Sequence, residues 1–125
     1  MLRAKAHPLD LEVDDVITSF DYLMEKEALI IGTSVGLLLL HEVQSNAIEV
    51  VGRFDGGVKC ISPSPDGDLL AITTGLGQLL VMTHDWDVLF ETAYEDCCED
   101  FDVSKDFFII SCVKYSICVG VLKPS

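Results

Sequence analysis

Nothing in this chain approaches the roughly 20 consecutive apolar residues that a helix needs to cross a bilayer. Its longest uninterrupted apolar runs, such as Leu37–Leu40, are four residues long, and Leu29–Leu40 qualifies only if Gly32, Thr33, Ser34 and Gly36 are admitted. Positive charge is scarce: 8 Lys and Arg stand against 21 Asp and Glu, for a net charge of -13. Such a surface repels phosphate backbones, so direct nucleic-acid contact is not expected of it. The five cysteines include no CxxC pair, and His7, His41 and His84 are scattered. Neither a zinc site nor a secreted disulfide framework fits that spacing, so reduced thiols in a cytosolic or nuclear chain are expected. The opening MLRAKAHPLDLEVDD has two early cations but no apolar centre before the acids begin, unlike a secretory signal.

What the chain does have is length for one modest domain, with 125 residues of which half are hydrophobic. It also has a repeat. EALIIGTSVGLLLLHEV (27–43) lies over DLLAITTGLGQLLVMTHD (68–85) with Leu29 on Leu70, Ile31 on Ile72, Thr33 on Thr74, Gly36 on Gly77 and Leu38 on Leu79, an offset of 41 residues. Upstream, VITSFDYLMEKE (16–27) matches VKCISPSPDGD (58–68) if Val16 is set on Val58 and one residue is inserted.

A period of ~40–45 residues is that of a four-stranded propeller blade. The second copy reads as strands over 58–62, 69–74, 78–83 and 88–94; the first as strands over 16–22, 28–33, 37–41 and 48–54. Several of these are continuously apolar, as strands covered on both faces are. The segment DYLMEKEAL (21–29) has helix-favouring residues, but the repeat makes it strand, turn, strand. The expected fold is all-β: two WD-type propeller blades, 15–54 and 56–94, after a short segment 1–14. The tail 95–125 is acidic and cysteine-containing. DFFIISCVKYSICV (106–119) repeats DLLAITTGLGQLLV (68–81) faintly, without its turn glycines, as part of a third blade.

The turns carry the candidate site residues. Ser62 ends the first strand of the second blade, and Pro63, Ser64, Pro65, Asp66 and Gly67 form the turn after it, where Pro presets φ and Gly accepts φ > 0. Gly75 and Gly77 mimic a dinucleotide loop, but the third glycine and the following helix of that fingerprint are missing; a hairpin turn is the reading. Asp85, Trp86 and Asp87 make the next turn, with Trp86 read mainly as packing and also as a candidate partner contact. His84 beside two aspartates has no matched nucleophile, so no catalytic residue is assigned. The acids Glu95, Asp96, Glu99, Asp100 and Asp102 lack the order of a calcium loop and read as a solvated loop between blades. Cys97 and Cys98, set among carboxylates, are not expected to be reactive. No cofactor and no metal are expected.

One combination is narrower than the general blade pattern. The S-P-D-G turn is joined to Thr74, Gly75, Leu79, Leu80, Met82, Thr83, Asp85, Trp86 and Asp87, and in this the stretch 56–91 resembles the N-terminal WD-type propeller of the largest Elongator subunits. The stretch 17–43 resembles the preceding blade, closest to plant forms. The resemblance spans about residues 15–94; the N-terminal segment and the tail after Tyr94 depart from it, as in a short fragment or a truncated product. It implies a non-catalytic scaffold in a complex that modifies the wobble uridine of transfer RNA, with the chemistry on another subunit. It implies the second and third Elongator subunits as partners, a link to transcription elongation, and a cytoplasmic and nuclear location. A WD-type adaptor of another assembly, or a nonfunctional product, is the alternative.

Overall fold

The structure is a computed structural model that describes residues 4, 6–64 and 67–93, and the backbone of 98–103, 108–113 and 116–121. Two four-stranded antiparallel meanders make up most of it. The first is β1 (Ile17–Leu23), β2 (Ala28–Thr33), β3 (Leu37–Glu42) and β4 (Ile48–Arg53). The second is β5 (Val58–Pro63), β6 (Leu69–Thr74), β7 (Gln78–Thr83) and β8 (Val88–Ala93). Strand order follows chain order in both, because turns of a few residues can join only antiparallel neighbours. The ambiguous segment 21–29 finishes β1, makes one 3₁₀ turn at Met24–Lys26 and enters β2.

The repeat is more regular than the sequence alignment suggests. Ile17 pairs with Thr33 as Val58 pairs with Thr74, and the ladder irregularity after each falls at the same place. Ile17, not Val16, is therefore the partner of Val58, and 17–27 lies on 58–68 with no insertion. The two valines match by type, but backbone pairing fixes the register.

That register decides which side of each strand faces which sheet, since alternate side chains point to opposite faces. Ile30 and Leu38 of the first sheet meet Ile61, Leu70, Ile72 and Met82 of the second in one buried cluster. Ala71, Leu79 and Val81, on the opposite face of the second sheet, form a separate buried cluster. Strand β9 (Cys98–Val103) lies beside β5 and β6 and begins a three-stranded antiparallel sheet with β10 (Phe108–Val113) and β11 (Ser116–Val121). From Cys98 onward, then, the expectation of a solvated loop is not met. The overlooked signal is the alternation Asp100, Phe101, Asp102, Val103, which suits a strand better than a loop.

Most contact between the first two sheets runs between β1 and β5. The Thr18 hydroxyl donates to the carbonyls of Gly32 and Val58, and the Ile61 N–H donates to the Ser19 hydroxyl at 3.2 Å. Gly32 makes the approach possible: a Cβ there would stand 2.3 Å from Val58 Cγ1.

The outer face of the first sheet has another cover. Ile31, Leu39 and His41 occupy the positions of Ile72, Leu80 and Met82, yet they point away from the second sheet. They are still only 5%, 4% and 7% exposed. The segment before β1 is pinned at two places. The His7 ring meets His41 edge-on at 6.1 Å. Asp15 Oδ1 accepts from the Ser34 hydroxyl at 2.7 Å and from the Val16 and Val35 N–H groups at 3.0 Å. Leu9 and Leu11 between the pins are half-buried. Phe20, at the position of the buried Ile61, remains 68% exposed.

Burial alone would raise the Asp15 carboxyl. The Ser34 hydroxyl, the Val35 N–H, the Thr33 side chain and the Val16 N–H together outweigh it, and the group sits below the ordinary carboxylate range. A carboxyl depressed in the folded state stabilises it above the unfolded value and stops doing so as pH falls through the folded value. Asp15→Asn should thus lose stability at pH 7, and the loss should shrink below about pH 4. Urea midpoints of both chains across that range are the check; a pH-independent difference would contradict it.

The seam gives a second expectation. Gly32→Ala should cost about 1–3 kcal/mol through overpacking. Combined with Val58→Ala, which empties the contested space, the total should fall short of the sum of the two single changes. Additive losses in urea unfolding would show that the two residues do not meet.

Candidate functional site: the groove between the blades

Two rims border the seam. At one rim lie the turns at 34–36, 54–57 and 75–77. Gly36 and Gly77 both have positive φ, 102° and 79°, and each donates its N–H to the threonine carbonyl three residues earlier. Gly75 serves differently. Its Cβ would lie 2.2 Å from the Gly56 carbonyl oxygen, so it is required by close approach, and its N–H donates to Gly57 at 3.2 Å. In the first sheet Ser34 takes that position: its N–H donates to the Val16 carbonyl at 2.9 Å in the same way, and its hydroxyl donates to Asp15 as well. These glycines are followed by strands β3 and β7. The Gly75 and Gly77 pair thus belongs to a hairpin turn.

At the other rim the turns at 24–27 and 84–87, with Ser64 and Gly67, enclose a groove of about 430 Å³. Tyr22, Met24, Pro63, Leu69 and Trp86 supply its apolar wall, and Asp21 and Glu25 line it as well. Trp86 is half-buried against the shared core of the two sheets, and the Lys26 ammonium sits 5.1 Å from its ring centroid. A cation over an indole face is an attractive arrangement. Here it also links the first sheet to the second.

The Trp86 backbone has φ of 70°. Asn46 holds the same left-handed place in the turn of the first sheet, with φ of 57°. Asparagine visits that region readily, whereas a bulky residue rarely does. Thr83 keeps the turn in place. Its hydroxyl accepts from the N–H groups of Asp85 and Asp87 at 3.2 Å, and its carbonyl accepts from the Trp86 N–H at 3.0 Å. The sequence pointed to the aromatic and the acids; the backbone angle and the role of Thr83 were not visible in it.

The remaining expected residues fall in three groups. Ser62 lies within β5 and Gly67 closes the following turn with φ of 79°. Pro65 and Asp66 lie outside the described residues, as do Glu95, Asp96 and Cys97. His84 is 3.5 Å from the Asp85 carboxylate, and both are well exposed, so this is a surface pair. Among the described residues no group of three His, Cys, Asp or Glu side chains is placed to hold a metal ion. No described helix is long and apolar enough to cross a membrane.

This geometry, consecutive four-strand meanders stacked face to face along their first strands, is that of adjoining blades in an unclosed β-propeller. The β-propeller domain of Cps50 (Swd1) from Myceliophteria thermophila superposes with a TM-score of 0.70 at 9% identity, over 88% of this chain and 41% of that one. That likeness shows the fold. The family follows from sequence: the model of the ELP1 first N-terminal β-propeller matches residues 2–109, and the chain belongs to that family. Elongator complex protein 1 of Arabidopsis thaliana is 64% identical over 85 residues, 68% of this chain. The rabbit protein of the same name, from Oryctolagus cuniculus, is 30% identical over 89 residues, 71% of this chain. The chain spans 6% of the length of each of these relatives.

Two substitutions separate the competing demands on Trp86. Trp86→Ala should lose packing while keeping the unfavourable backbone angle, at about 1–3 kcal/mol. Trp86→Gly loses the same side chain but relieves the angle, and should recover about 1 kcal/mol of it. Equal urea midpoints for the two variants would contradict a left-handed residue at this position.

Proposed function

We propose that this chain is a non-catalytic scaffold segment of Elongator, acting through protein–protein contacts in a complex that modifies wobble uridine in transfer RNA. What carries this reading is the 64% identity to an Elongator complex protein 1 within the propeller family's own region. The chemistry of the described surface supports it. The groove offers aromatic, apolar and acidic groups, and His84 with Asp85 is an exposed pair with no nucleophile beside it. A net charge of -13 disfavours capture of transfer RNA by the chain itself. We assign its partners to the second and third Elongator subunits and its location to the cytoplasm and nucleus. The sheet β9–β11, which continues the stacking beyond the second blade, is in this reading part of a third blade.

Co-precipitation of residues 1–125 with the second and third subunits, beside wobble-uridine levels in cells overexpressing the chain, tests the proposal. Binding with altered modification is expected. Uridine modification by the purified chain alone would overturn the non-catalytic part. Capture by a different assembly would identify an adaptor outside Elongator.

A further inference from the structure

We propose that the groove between the two blades docks a short protein segment that pairs an apolar anchor with an arginine or lysine, and that this cation takes the place of Lys26 on Trp86. Size is the first reason. A groove of about 430 Å³ holds a few side chains and not a folded domain.

Its apolar wall is unusually open to solvent. Met24 is 80% exposed and Tyr22 is 45% exposed, although both stand beside the half-buried Trp86. Large apolar side chains gathered at one opening are what an incoming anchor would cover.

Charge selects the rest of the occupant. Asp21 and Glu25 line the groove, and Asp85 and Asp87 flank Trp86 on its turn. Among the described lining residues the one Lys or Arg is Lys26, and it is already engaged with the indole. With 21 acids against 8 cations in the chain, the surrounding field draws a cationic segment in and resists an acidic one.

Lys26 shows that the indole face accepts a cation. It lies in the short 3₁₀ turn Met24–Lys26 and forms no ion pair among the described residues, so its ammonium can swing into water without disturbing the strands. A partner guanidinium, planar and less strongly hydrated, stacks on an aromatic face better than an ammonium does. The site therefore carries its own weak competitor.

Trp86 is the only tryptophan of the chain, so its emission reports on the groove. The probe is a capped hexapeptide alternating leucine and arginine, titrated into residues 1–125, with the same peptide carrying glutamate for arginine as control. The arginine peptide should give a saturable change that weakens several-fold between low and high salt, and the glutamate peptide none. Lys26→Met should tighten binding about two- to fivefold, the value of one exposed cation–π contact. Glu25→Lys should weaken it by at least a similar factor with an unchanged far-ultraviolet circular dichroism spectrum. Tighter binding on loss of a residue cannot come from misfolding. An equal response to both peptides, no saturation by about 5 mM, weaker than the weakest useful affinities, or weaker binding by Lys26→Met would each overturn the proposal. Since no Elongator subunit enters this titration, its failure would leave the scaffold reading untouched.

Discussion

Neighbouring blades share a core only if the first strand of one can lie closely against the first two strands of the blade before it. In this chain Gly32 allows that approach, with Val58 filling the space its side chain would take. The 41-residue repeat then makes the contact directional. In the second sheet one face carries the residues that meet the sheet before it, and the other face carries those directed to the sheet after it. Ile72, Leu70 and Met82 look back to Ile30 and Leu38, while Ala71, Leu79 and Val81 look forward. A slip of one residue in either meander would exchange these sets. Thr18 and Ser19 hold the same register through hydrogen bonds that cross the seam to Val58 and Ile61.

The groove follows from this stacking. The turns at 24–27 and 84–87, with Ser64 and Gly67, leave beside the seam the space that Trp86 partly fills. Trp86 keeps an uncommon backbone angle because Thr83 closes the turn around it and the shared core receives its ring. Packing and binding are not alternatives for such a residue. An indole with one side in the core and another at a groove does both, and Lys26 bridges to it from the neighbouring sheet.

Much of the fold was legible in the sequence. Continuous apolar strands over 28–33 and 69–74, broken by glycine turns, gave elements that the structure places at the same residues. The spacing of Gly75 and Gly77 reads as a hairpin turn, and the pair lies between β6 and β7. Other features depend on geometry that spacing does not contain. In β1 the residue type of Val16 matches Val58, whereas backbone pairing selects Ile17, one residue on. The strand at 98–103 is masked in the sequence by its acids, whose charge reads as loop while their alternation with Phe101 and Val103 fits a strand. The two-point pinning of the N-terminal segment involves His7 with His41 and Asp15 with Ser34, pairs far apart in the chain with no motif to announce them. The groove needed three turns from two repeats to be placed side by side.

The central claim is that residues 17–53 and 58–93 form one cooperative unit joined along β1 and β5. Native-state hydrogen exchange tests it most directly, because it resolves the opening free energy of each strand. The account predicts that slow amides of β2 and β6 share one opening free energy, and that Gly32→Ala lowers both together although it lies in the first sheet alone. Independent opening of the two sheets, with the substitution felt only in the first, would contradict it.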